Sequence, residues 1–181
     1  MAKEGFLGAG GSWRVIDEYP DSSVIKQFND DACAAACGEM LLRDHGVTAI
    51  SQREIADSAG GVPMEIPILA RCFADTARVV LNQIGNLPGR WIGAAIGIEN
   101  ATNEELLRTL SSIGSWGAGL WEDGAPIGHI VLVDGLNENN EVLIRDPWGM
   151  TRSARQGSRY KMELQAFLKV WSRQVVYRVE P

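Results

Sequence analysis

Apolar residues recur along this chain in two rhythms. From Ala32 to Leu42 small and apolar residues run almost unbroken, behind Asp30 and Asp31 and ahead of Gly46. That pattern predicts one helix with an acidic N-cap and with Cys33 in its first turn. Ser51-Gln-Arg-Glu54 and Thr102-Asn-Glu-Glu105 are capping boxes. The first opens a short helix ending at Gly60-Gly61, and the second a longer one with Leu106, Leu107, Leu110 and Ile113 inward. Pro63 and Pro67 punctuate a further helix, Ile66 to Ala74, which carries Leu69, Cys72 and Phe73 on one side.

The rhythm then changes to extended runs. Ala77 to Ile84, Gly117 to Trp121, Gly128 to Asp134, Glu141 to Asp146 and Gln174 to Val179 read as strands, with Leu136 to Asn140 the turn of a hairpin. Met162 to Trp171 reads as a short amphipathic helix. Trp13 to Ile16 suits a short strand or an extended arm. Residues 1–12, rich in glycine, are expected to be a flexible N-terminal segment. The expected architecture is α+β, a helical N-terminal lobe against a mostly antiparallel sheet in one domain over residues 13–181.

Composition narrows the function more than the fold. The 181 residues, 45% hydrophobic and 22% charged, suit one domain with a sizeable core. A net charge of −6 argues against nucleic acid or an anionic membrane surface as the main partner. Arg152, Arg155, Arg159 and Lys161 gather late in the chain, where a solvated loop explains them. No stretch is apolar and long enough to span a bilayer, so no membrane insertion is expected. Three cysteines, two of them four residues apart on one helix, point to a reducing compartment.

The candidate chemistry begins at Cys33. A thiol in a helix's first turn feels the positive end of the macrodipole and the unpaired N–H groups there, which favour thiolate. Gln27, six residues upstream, can fold its amide beside that thiol and stabilise an oxyanion together with the Cys33 N–H. Only His45 and His129 are available as a base. His45 ends the same helix, about 18 Å from Cys33 at the helical rise, and is excluded. His129 opens a strand. Asp134, five residues on, points to the opposite face in a regular strand, whereas Asp146 across the hairpin falls opposite or nearly opposite His129.

Cys33, His129, Asp146 and Gln27 are therefore the candidate catalytic set, with the acid fixing the ring while its other nitrogen meets the thiol. Taken singly each has a plainer explanation. A Cys in an Ala-rich helix is usually a small buried hydrophobe, as Cys37 is read here. Cys33, Cys37 and His45 lack a second ligand pair at zinc-finger spacing, so neither metal nor cofactor is expected.

The stretch from Gln27 through Cys33, Cys37 and Met40 resembles the opening motif of papain-like peptidases, in particular the peptidase domains of bacteriocin-processing exporters. Gly128-His-Ile-Val-Leu-Val-Asp-Gly and Val142-Leu-Ile-Arg-Asp146-Pro-Trp-Gly are similar to that group's His strand and Asp-Pro motif, although Ala34 stands where those domains usually carry Gly. The resemblance implies a papain-like fold with Cys33 as nucleophile, His129 as base and then acid, Asp146 as orienter and Gln27 in the oxyanion hole. Val24 to Leu42, with Ser51-Gln behind it, also resembles the papain-fold toxin domains of bacterial polymorphic toxins. That second likeness implies a protein substrate in a competitor's cytoplasm, delivery in some cases by type VI secretion, and a cognate immunity protein as partner. The same triad would also serve a glutamine deamidase or transamidase toxin, or a leader-processing peptidase.

Overall fold

The computed structural model describes residues 2–7, 11–62, 80–121 and 128–181. The helix expected over 66–74, with Cys72, lies outside them. Eight strands form one antiparallel sheet: β1 (Ala2–Leu7), β2 (Gly11–Pro20), β3 (Arg90–Ala95), β4 (Trp116–Leu120), β5 (His129–Leu136), β6 (Glu141–Asp146), β7 (Ser158–Glu163) and β8 (Trp171–Val179). Their spatial order is β1-β2-β7-β6-β5-β4-β8-β3. The helices are α1 (Cys33–Asp44), α2 (Gln52–Ser58), α3 (residues 80–84), α4 (Asn103–Ser112) and α5 (Leu164–Val170).

The alternation of β5 separates two hydrophobic layers. Ile130 and Leu132 pack with Met40, Leu41, Leu42, Ile55, Leu81 and Trp91, so α1, α2 and α3 cover one face. Val131 and Val133 pack with Leu107, Leu110, Phe167 and Trp171, so α4 and α5 cover the other. The architecture is α+β and papain-like, with the Cys33 helix on the central strands. The N-terminal helices α1 and α2 pack together on one face of the sheet, and α4 and α5 lie on the other.

Several sequence expectations hold at the level of the cap. Both capping boxes form, with Ser51 and Glu54 exchanging bonds at α2 and Thr102 and Glu105 at α4. Others are corrected. Residues 2–7, placed in a flexible segment, form β1 and pair with β2. Residues 80–84 are helical where a strand was expected, because Leu81 is drawn into the α1 layer and the Asn82 carboxamide bonds the backbone of Trp91 in both directions, at 2.8 and 3.1 Å. Asn82 thereby caps the open side of β3 at the sheet edge. Met162 and Glu163 extend β7, and the helix begins only at Leu164. Arg159 and Lys161 accordingly sit on a strand and not on a solvated loop, each in an ion pair, with Asp21 and Asp134 for Arg159 and with Asp17 and Glu141 for Lys161.

One irregularity decides where a side chain faces. In the β5–β6 hairpin the register runs Leu132↔Arg145 and Val133↔Ile144, then skips Asp134 and resumes at Gly135↔Leu143. Asp134 is a bulge. Counting on from Leu132↔Arg145 brings Asp146 level with Val131, on the same face as His129. In an unbulged hairpin with the register of Gly135↔Leu143, Asp146 would be level with Leu132 and would face α1, because a slip of one residue exchanges the faces of a strand.

Candidate active site

Asp146 is fully buried and its carboxylate collects three donors. His129 Nε2 lies 2.8 Å from Oδ1, the Trp148 N–H donates to the same oxygen at 2.8 Å, and the Tyr160 hydroxyl donates to Oδ2 at 2.9 Å. Three converging donors require an ionised, accepting carboxylate, so His129 Nε2 carries a proton. The remaining ring nitrogen, Nδ1, is buried without a hydrogen-bond partner, and Cys33 is near enough to be among the groups that raise the ring's pKa. Burial alone would lower the pKa of the ring. The Asp146 charge and hydrogen bond, followed by the Cys33 interaction, overcome that and raise it to about 10, so the ring is an imidazolium at neutral pH.

Cys33 opens α1 and is 6% exposed, beside a ring that is 1% exposed. The acidic N-cap expected for this helix is absent. Ala32 occupies the cap position with no capping side chain, while the Asn29 carboxamide bonds the Asp31 N–H at 3.0 Å and Asp30 pairs with Arg152 at 2.5 Å. An uncapped helix end leaves first-turn N–H groups, that of Cys33 among them, able to receive an anion.

Gln27 is buried directly upstream, and its backbone N–H bonds the Pro147 carbonyl at 2.9 Å, tying the Gln27 segment to the end of β6. Its side-chain amide donates to the Asn29 and Asp30 carbonyls at 2.7 and 3.0 Å, and Oε1 has no partner. Both amide hydrogens are thus engaged in shaping the loop before Cys33, and one must be released for Gln27 to reach an oxyanion.

The other expectations separate cleanly from this cluster. Asp134 turns away from His129, to Ser115, Arg145 and Arg159. His45 lies at the far end of α1, where Nδ1 faces the Arg178 guanidinium at 3.2 Å and the ring meets Trp91 edge-on. The buried Cys37 thiol donates to the Ile130 carbonyl at 3.5 Å, and burial raises its pKa well above the ordinary thiol value. Trp116 is core, Trp121 is exposed, and half-buried Trp148 lines a cleft of about 520 Å³. Gln27, Lys26, Arg53 and Arg155 share that cleft, which runs beside the candidate site. Among the described residues no group of three His, Cys, Asp or Glu side chains converges to hold a metal, and no helix is long and apolar enough to cross a membrane.

Two residues at the site were not foreseen from sequence. Tyr160, on β7, reaches Asp146, and Trp13, on β2, stacks on His129 with ring centroids 6.2 Å apart and 24° between planes. Each lies far from the motifs along the chain, and no local pattern marks it.

A Cys at a helix start, together with an imidazole held by a buried carboxylate, is the set of groups that a thiol hydrolase requires. The Peptidase_C39 like family model matches residues 19–177. The chain is also 39% identical over 171 residues to "Cysteine protease effector 1" of Escherichia coli O1:K1:H7, a match covering 94% of this chain and 30% of that protein. The chain thus spans under a third of the length of that relative. It belongs to the Peptidase_C39-like family and is a papain-like cysteine peptidase.

Proposed function

We propose that Cys33, His129 and Asp146 form the catalytic triad of a peptidase that acts as an antibacterial effector on a protein inside a recipient cell. The observation that carries the triad is the buried 2.8 Å bond from His129 Nε2 to Asp146, which leaves Nδ1 for the thiol at the start of α1. The Cys33 thiolate attacks a peptide carbonyl. The oxyanion is received by the Cys33 N–H and by Gln27 once one of its amide hydrogens leaves the loop carbonyls. His129 gives its Nδ1 proton to the departing amine, and the thioester is then hydrolysed by a water that the now neutral ring deprotonates.

The effector role draws on the printed name of the Escherichia coli relative and on the resemblance to polymorphic-toxin domains. It includes type VI delivery from the producing cell and neutralisation by a cognate immunity protein. The test is intact-mass analysis of recipient-cell proteins incubated with wild type or with Cys33→Ala. Fragments made by wild type alone support the proposal. A slight mass gain without fragments turns it to deamidation, and identical spectra from both proteins sink it. Co-expression with the product of the adjoining open reading frame should abolish fragmentation and toxicity together.

A further inference from the structure

The triad continues past its acid. The Trp13 indole N–H lies 3.4 Å from the Tyr160 hydroxyl, the Tyr160 hydroxyl donates to Asp146 Oδ2 at 2.9 Å, and the Trp13 ring stacks on His129. All four residues are buried. The direction of this relay is set by chemistry, because an indole can only donate and a carboxylate can only accept. Trp13 therefore occupies the acceptor side of the Tyr160 oxygen and leaves its proton to Asp146. Burial, with the Asp146 charge behind it, holds the pKa of Tyr160 well above the ordinary phenol value, so it remains a donor throughout the working pH range.

We propose that Tyr160 and Trp13 are positioning residues of the triad, a brace from β7 and β2 that fixes the Asp146 carboxylate and clamps the His129 ring. The proposal rests on the triad reading above and adds two residues that never touch substrate. Without Tyr160, Asp146 keeps only the Trp148 N–H besides His129 itself, both on Oδ1, and Oδ2 loses the donor that fixes the carboxylate's rotation about its last bond. Trp13 closes the other side of the ring, and its strand pairs with β7, so the brace and the site share one hydrogen-bonded sheet.

The experiment needs no knowledge of the substrate. Alkylation of Cys33 by iodoacetamide, mapped by peptide mass, reports thiolate reactivity, and imidazole nitrogen NMR reports the ring in a chain with only two histidines. Tyr160→Phe should slow Cys33 alkylation at neutral pH about tenfold, the scale of one hydrogen bond to a charged group. If Tyr160 positions Asp146, the His129 midpoint should also fall from about 10, whereas loss of the donor alone would leave a more basic carboxylate and raise it. Trp13→Phe keeps an aromatic face but loses the N–H, and should shift both readouts in the same direction by about threefold or less in rate. Wild-type rates and midpoints in both variants would overturn the brace. If Tyr160→Phe proves unfolded in thermal melts, Trp13→Phe decides alone. An unchanged alkylation rate in His129→Ala would instead defeat the triad itself, a result separate from either.

Discussion

The β5–β6 hairpin carries two ionic groups, one on each side: a partly buried cluster around Arg145 and the fully buried pair of His129 and Asp146. On one side Arg145 bonds both Asp44 oxygens at 3.1 and 2.6 Å and Asp134 at 3.0 and 2.8 Å, while Asp134 also takes Ser115 and Arg159. Every charged atom there has a partner. On the other side Asp146 is as fully satisfied, yet His129 Nδ1 has no hydrogen bond. A saturated network holds a fold, whereas the unpaired Nδ1 is, on the proposed triad, the atom left for the Cys33 thiol. The two groups are coupled through the bulge. Asp134 is both the extra residue that turns Asp146 toward His129 and the anchor for Arg145 and Arg159, so the structural cluster pins the register on which the site depends.

The largest expected effect breaks the comparison at its unsaturated end. His129→Ala should lower turnover of an identified protein substrate by at least about 10⁴-fold, and it also leaves Asp146 buried without its cation, a stability cost read separately in denaturant. Arg145→Met should cost stability alone. It leaves Asp44 and Asp134 short of a buried cation and should cost about 3 kcal/mol in denaturant unfolding, with kcat of the folded protein almost unchanged. If Arg145→Met removes activity while the protein remains fully folded, the division between a holding side and a reacting side is mistaken.

Asp146→Asn follows, at about 100-fold in kcat, and sharpens the comparison through its pH dependence. Burial lowers the ring's pKa, and the Asp146 charge does most to overcome that and raise it to about 10. Without that charge burial is left largely unopposed, and the ring should lose its proton near or below 6.5. The alkaline limb of Cys33 alkylation, expected near 10 in wild type, should move to near neutrality. The same shift fixes the sign for stability. A base whose folded pKa is raised contributes fully below its unfolded pKa of about 6.5 and loses that contribution as pH climbs toward 10, so the thermal advantage of wild type over Asp146→Asn should shrink across that window.

How much of this the chain discloses depends on how local the cause is. The capping boxes lie within four residues and are legible. The candidate site was legible as residue types in order, because a thiol at a helix start, two histidines and a hairpin acid leave few combinations. The bulge at Asp134 was missed, although Gly135 beside it sits at φ +119° and an isolated glycine in a strand is the local mark of a bulge; the argument from an ordinary hairpin named the side chain that bonds His129 without the feature that turns it. Nor was β3 foreseen: a Gly-Ala-rich run at a sheet edge has weak strand character, and it is held there by β8 and by Asn82. Trp13 and Tyr160 are 147 residues apart and meet only in the folded sheet.

Gln27 ranks next. Removal of an oxyanion donor typically costs about 100-fold or more, but the Gln27 amide begins engaged with the Asn29 and Asp30 carbonyls. Part of its contribution is spent on exchanging partners, so Gln27→Ala should lower kcat about tenfold to 100-fold. Gln27→Glu should fare worse than Gln27→Ala, since it sets a carboxylate against two carbonyl oxygens. If Gln27→Glu matches wild type, the oxyanion role is lost.

The smallest effect tests the second histidine. His45 caps α1 at the end away from Cys33, with Nδ1 toward the Arg178 guanidinium and Glu180 4.0 Å away. Partial burial first, and then the neighbouring Arg178 charge, lower its pKa, so a neutral ring accepts from Arg178 while a protonated one would add a second cation there. A base with a depressed folded pKa loses its stabilising contribution as pH falls below its unfolded value, here about 6.5. His45→Gln keeps an acceptor that cannot protonate. It should leave kcat/KM at the wild-type value at every pH, and should flatten a slight loss of melting temperature that wild type shows between about pH 7 and 5. A fall in kcat/KM would link the two ends of α1, and the isolation of His45 from the chemistry would have to be abandoned.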